Sequence, residues 1–182
     1  MLRQLLKKII YRIRGEYTVE DLIKLGLKVG KGFNPQLGFE LDPSHCWLID
    51  IGDNVTFAPH VQVLAHDAST CVSLGYAKIG RVHIGNNVFI GAGSIILPDV
   101  SLGDNTIVGA GSVVTHSFDG DVVIAGNPAR VIESLNDFTA KQKKLMDERP
   151  CYGEEYTLRC NITPERKQQQ IDDLRDGIGF VR

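Results

Sequence analysis

The sequence predicts an all-β fold, a parallel coil of short stacked strands, and three observations carry that prediction. An aliphatic residue recurs every six positions at Ile84, Ile90, Ile96, Leu102, Val108 and Val114. A second register four residues on holds Val88, Ser94, Val100, Thr106, Ser112 and Phe118, most of them small or β-branched. Gly and Asx follow the aliphatic position in IGNN, IGAG, LGDN and VGAG, the residue types that tight corners with left-handed backbone favour. A helix would repeat its apolar face every three or four residues and a plain strand every two. A period of six fits one short strand plus one corner. Three such units close a triangular coil, and the next coil stacks on it at roughly the 4.8 Å spacing of paired strands. Both registers then point inward, which leaves the corners and outer faces for function.

Residues 1–26 precede the coil. Leu2, Leu5, Leu6, Ile9, Ile10 and Ile13 fall at helical spacing, with Arg3, Lys7, Lys8, Arg12 and Arg14 on the other side, which predicts an amphipathic helix. Charge interrupts the apolar run too often for a bilayer span or a signal peptide. Two uses of the helix stay open: packing on the core or a neighbouring subunit, and peripheral contact of residues 1–14 with anionic lipid.

The coil itself is expected over residues 27–132. A weak trace of the register runs from Val29 to Phe33, and a clear one places Ile51, Phe57 and Val63 inward. Val63 to Ile84 is 21 residues, which is not a multiple of six. HDASTCVSLGYAKIG is therefore read as a loop extruded at about residues 67–80, directly after His66. The coil closes through GDVVIAGNPARVI. Residues 133–182, with helical stretches in ESLNDFTAKQKKLMDE and PERKQQQIDDLRDG, are expected to cap it.

At 182 residues the chain suits one domain with a substantial core. Lys plus Arg is 20 against Asp plus Glu at 22, so no global field draws it to nucleic acid. Cys46, Cys71, Cys151 and Cys160 show no C-x-x-C pair and no zinc-type spacing. Reduced thiols and a cytoplasmic location follow, at the inner membrane face if the N-terminal helix meets lipid.

The run IGNNVFIGAGSIILPDVSLGDNTIVGAGSVVT, followed by AGNPARVI, resembles the hexapeptide-repeat acyltransferases, and most closely their galactoside, maltose and nodulation-factor O-acetyltransferase branch. The likeness spans about residues 45–133. It implies a left-handed parallel β-helix, against the usual right-handed crossover, and a homotrimer. It also implies acetyl-CoA as cosubstrate in a groove between neighbours, a hydroxylated sugar as acceptor, and no metal requirement. The family's catalytic histidine corresponds to His66 in FAPHVQVLAHD; an imidazole titrating near neutrality takes the proton of a hydroxyl as it attacks a thioester. The oxyanion donor corresponds to the backbone N–H of Ala92 in IGAGS.

Cofactor contacts correspond to Ala92, Ala110, Thr115 and Arg130, where small side chains admit the pantetheine arm and Arg130 meets a phosphate. The pattern departs twice: His116 replaces the basic residue usual after VVT, and Glu133 displaces another after RVI. His116 is carried into the cofactor set in that place. Lys141, Lys143 and Lys144 are candidates to compensate, against a merely solvated helix face.

Asp67 is a poor partner for His66, because adjacent residues of an extended segment point to opposite faces. It is read as meeting the acceptor, a neighbouring subunit or solvent. His45, in SHCWLID, is expected to border the acceptor pocket across a subunit interface, and His60 to be exposed structure at a corner. The same scaffold and base also serve N-acylation of an aminosugar or serine-type O-acetylation. A zinc carbonic anhydrase built on such a coil needs three converging histidines; His60, His66 and His83 are misplaced for it by spacing. A non-catalytic scaffold is the remaining class.

Overall fold

The computed structural model describes residues 17–182, and the chain divides into two compact units, Met1–Leu135 and Asn136–Arg182. The amphipathic helix expected at residues 1–14, with its lipid or packing role, lies outside the described residues. Among the described residues no helix is long and apolar enough to cross a membrane.

The first unit is a three-sided parallel β-helix. Its first side stacks Lys28–Val29, Ile49–Ile51, Val82–Ile84 and Ser101–Leu102. The second side stacks Asn34–Pro35, Thr56–Phe57, Phe89–Ile90, Ile107–Val108 and Val122–Gly126. Ala129–Ser134 then folds back antiparallel on that last strand. The third side stacks Glu40–Leu41, Gln62–Val63, Ile95–Ile96 and Val113–Val114. Parallel register pairs Ile51 with Ile84 and Ile84 with Leu102, Phe57 with Ile90 and Ile90 with Val108, and Val63 with Ile96 and Ile96 with Val114. These are the residues the six-residue period places inward, and all are buried.

The second register is buried as well, through Val55, Val61, Val88, Ser94, Val100, Thr106 and Ser112. Its hydroxyls are satisfied locally: Thr106 Oγ1 donates to the Gly103 carbonyl at 2.7 Å and Ser112 Oγ to the Gly109 carbonyl at 2.6 Å. Each fully buried aliphatic side chain contributes roughly 1.5–3 kcal/mol, so the ladder dominates the stability of the unit. At one end the short helix Val19–Lys24, capped by Thr18, packs Leu22 into this core.

Corners turn three residues after the inward aliphatic, with left-handed backbone at Asn54, Asn87, Asn105 and Asp99. One corner column is stitched by amide side chains: Asn54 donates to Asn87 at 3.1 Å, Asn87 to Asn105 at 3.1 Å, and Asn105 to the Asp121 carboxylate at 2.9 Å.

A full coil precedes the clear repeat, because Val29, Pro35 and Leu41 pair with Ile51, Phe57 and Val63. Pro35 and the left-handed Gly32 and Gly38 hide its aliphatic signature. The period breaks twice, after Leu41 and after Val63, and both breaks leave the third side and rejoin the first. The two interruptions are therefore stacked on one corner. The longer one starts with a two-residue ladder, His66–Asp67 antiparallel to Lys78–Ile79, and turns back at Gly75.

The second unit holds most of the helix Leu135–Glu148, the helix Pro164–Asp173 capped by Thr163, and a two-stranded parallel ribbon of Cys151–Tyr152 and Phe180–Val181. That ribbon is absent from the sequence expectation.

Candidate active site

The stacked interruptions bring together a cluster of side chains where an unbroken coil would have only a corner. Asp42 follows the inward Leu41 and stays locked to the coil, its N–H donating to the Val63 carbonyl at 2.9 Å. Its carboxylate is fully buried and accepts the Ser44 N–H at 3.0 Å, an Asx turn, and the Ala65 N–H at 3.0 Å. The same oxygen that meets Ala65 also meets Nδ1 of His66. The backbone of Ala65 is held from both sides, because its carbonyl accepts the Gly80 N–H at 3.0 Å where the loop returns. His66 is thus delivered to the corner with its ring 36% exposed, against 0% for its partner carboxylate.

Burial alone would raise the Asp42 pKa. The hydrogen bond from His66, with those from the Ala65 and Ser44 N–H groups, outweighs it and holds the carboxyl below its ordinary value. Asp42 is accordingly ionised at neutral pH. An acceptor-only carboxylate on Nδ1 requires the proton there and leaves the Nε2 lone pair free, the tautomer a general base needs.

His45 enters from the shorter interruption, ahead of the tight turn Cys46–Leu48. Its ring lies 5.3 Å from that of His66 and 5.3 Å from that of Trp47. Its Nδ1 is buried with no hydrogen-bond partner among the described residues. His45 therefore flanks His66 within one chain. Asp67 is engaged inside its own loop, accepting from Lys78 Nζ at 2.6 Å and the Ser69 N–H at 2.8 Å. Those bonds hold its carboxyl far below the usual range. It staples its own loop while its side chain stays 36% exposed.

The remaining predicted residues fall elsewhere. Ala92 and Ala110 sit on the corner between the second and third sides, one above the other, with the Gly111 N–H donating to the Ala92 carbonyl at 2.8 Å. Ala92 is exposed, and its N–H has no partner among the described residues. The column is smooth because a Cβ on Gly91 would come 2.5 Å from the Ala110 nitrogen. Arg130, opposite Ala125 on the returning strand, stands at the foot of this column with Nη1 donating to the Ala129 carbonyl at 2.8 Å. Thr115 and His116 are exposed on the His66 corner two coils further on, 3.2 Å apart.

Within one chain the structure therefore joins His66 to His45 and Asp42, and joins Ala92 to Ala110 and Arg130. The third side separates the two groups. His60 belongs to the alanine corner and His83 to the first side, between Asp50 and Ser101, so no three-histidine cluster forms with His66 among the described residues.

Sequence reasoning missed Asp42. The available signal was an acid immediately after an inward aliphatic, in LDPS, at a break in the period on the same corner as His66.

The family model described as bacterial transferase hexapeptide (six repeats) matches residues 81–116. Protein CapG of Staphylococcus aureus is 42% identical over 75% of the chain and 83% of its own length. Galactoside O-acetyltransferase of Escherichia coli (strain K12) is 40% identical over 62% of the chain and 57% of its own length. Among solved structures, a maltose O-acetyltransferase from Clostridium difficile 630 superposes with a TM-score of 0.51 at 35% identity, covering 63% of the chain and 73% of that structure.

Proposed function

Because the chain belongs to the bacterial hexapeptide-repeat transferases, its coil is a left-handed β-helix and it is an acyltransferase; from that premise we propose that it carries an acetyl group from acetyl-CoA to a hydroxyl of a sugar or saccharide, with His66 as general base. The observation that carries this reading is the buried Asp42 carboxylate on Nδ1 of a half-exposed His66.

In this mechanism Nε2 of His66 takes the acceptor proton as the oxygen attacks the thioester carbonyl. Asp42 stabilises the imidazolium that results, as the acid of a triad does. The Ala92 N–H faces the oxyanion of the tetrahedral intermediate. The C–S bond then breaks and the thiolate recovers the proton from Nε2. Ala92 and Ala110 leave room for the pantetheine arm, Arg130 meets a phosphate, and Thr115 and His116 line the adjoining corner.

Since His66 and Ala92 lie at opposite edges of the third side, a complete site needs the alanine corner of a neighbouring chain. A homotrimer with three such interfaces meets that need. The names of the galactoside and maltose relatives support a sugar acceptor.

The test is thiol release from acetyl-CoA by the full chain, offered galactosides, maltose, aminosugars and serine in parallel. Hydroxyl acceptors of the sugar class are expected to be fastest. His66→Ala is expected to lower kcat on the best acceptor by about 10²–10⁴-fold. Undiminished turnover in that variant would remove the base from the mechanism, and a clear preference for amines would redirect the reading to N-acylation.

A further inference from the structure

We propose that Asp42, His45 and His66 also form a binding site for a divalent transition-metal ion, Zn²⁺ foremost, and that the bound ion switches the transferase off. The second half rests on the acetyltransfer reading; the first does not.

Each of the three side chains offers a ligand atom, and these atoms all lie within 4.8 Å of one another. Two imidazoles and one carboxylate are a donor set that zinc and its neighbours in the first transition row accept readily. Bonds of about 2.0–2.2 Å in a tetrahedral site put ligand atoms about 3.4 Å apart. An ion entering the trio draws His45 inward and takes the place of the proton between His66 Nδ1 and Asp42, so that hydrogen-bonded pair opens to admit it.

Three features of the trio point to a ligand rather than to packing alone. The His45 Nδ1 is buried without a partner among the described residues, a condition that native structures rarely leave unexplained. The Asp42 carboxylate is fully buried against the histidines, setting an oxygen donor beside two nitrogen donors. Its second oxygen is fixed by the Ser44 N–H at 3.0 Å and its first by the Ala65 N–H at 3.0 Å, which orients the carboxylate as an outer shell of hydrogen bonds orients a metal ligand. Three protein ligands leave a fourth position for water.

The consequence for the base follows from proton placement. Coordination through the His66 nitrogen that faces Asp42 leaves the single proton of the neutral ring on Nε2. That nitrogen must be bare to accept the acceptor's proton. The neutral ring keeps its one proton but is held in the tautomer that cannot act. Removal of the ion restores Nδ1–H to Asp42.

The experiment uses the full chain freed of metal with a chelator. Zn²⁺ affinity is measured by competition with a chromophoric chelator, and Co²⁺ is used as a spectroscopic probe. One ion per chain is expected, with Co²⁺ absorption lacking the sulfur-to-metal charge-transfer band that Cys71, Cys151 or Cys160 would give. His45→Gln and Asp42→Asn should each weaken binding about tenfold or more, while His60→Gln and His83→Gln should bind as the parent does. Binding that survives both His45→Gln and Asp42→Asn, a sulfur band, or no binding at all overturns the site. In the transfer assay Zn²⁺ should inhibit reversibly, with activity recovered on chelation; an ion bound at the trio that leaves thiol release unchanged overturns the switch. A metal-free chain that releases no thiol on any acceptor would instead count against the acetyltransfer reading, and the binding titration would still decide the site.

Discussion

His66 and its orienting acid are 24 residues apart, whereas the acid next to it in sequence points away. That contrast sets what Asp42→Asn should do. Asparagine keeps the shape but presents an amide that can donate to Nδ1, which favours the wrong tautomer. We expect kcat to fall by roughly 10²–10⁴-fold with KM for acetyl-CoA little changed; an equal rise in KM would mean a binding defect instead. The same substitution has a pH signature. Asp42 titrates below its ordinary value in the folded chain, so its contribution to stability is complete above the unfolded pKa and is lost as pH falls through the folded one. The melting temperature of the parent should therefore drop more steeply than that of Asp42→Asn between neutral pH and about pH 3. Parallel acid limbs would deny the coupling. His66 is legible in the sequence because the period fails just before it. Asp42 is not, because pairing the two residues requires knowing that both interruptions leave the same corner, a fact of stacking that no local pattern records.

At the scale of the repeat, the inward ladders are legible to the residue, since a strict period of six leaves one way to bury an aliphatic stripe. The opening coil is nearly silent because Pro35 stands where the next two coils carry Phe57 and Ile90. Corner glycines divide into two kinds that the sequence IGAG does not distinguish. Gly91 is there for space: a Cβ would lie 2.5 Å from the Ala110 nitrogen and 2.8 Å from its Cα, against backbone that the Gly91 N–H to Val108 carbonyl bond of 2.8 Å keeps close. Gly93 is there for conformation, with φ of 69° and nothing within 4 Å. Gly91→Ala should destabilise the coil by about 1–3 kcal/mol, as overpacking does, and Gly93→Ala by about 1 kcal/mol from left-handed strain alone. Denaturant midpoints compare the two. If Gly93→Ala were the worse, close approach between coils would not be what selects Gly91.

Over the whole molecule, the coil is read from its period with little loss, while the second unit is legible only as two helices. Its short parallel ribbon, Cys151–Tyr152 with Phe180–Val181, joins segments too distant in sequence and too brief for any pattern to announce. The coil also sorts side chains by corner: His66 and Asp42 on one edge of the third side, the alanine column on the other. Put genetically, this partition means that two dead alleles should rescue each other. Chains carrying His66→Ala keep a sound alanine corner, and chains carrying Ala92→Trp keep a sound base. Refolded together under the proposed trimeric arrangement, every mixed trimer would contain one junction with both halves intact, and random assembly should return about a quarter of parental activity. Thiol release measured on such mixtures, against each variant alone, reads the answer. A mixture no better than the sum of its parts would mean that each chain works by itself.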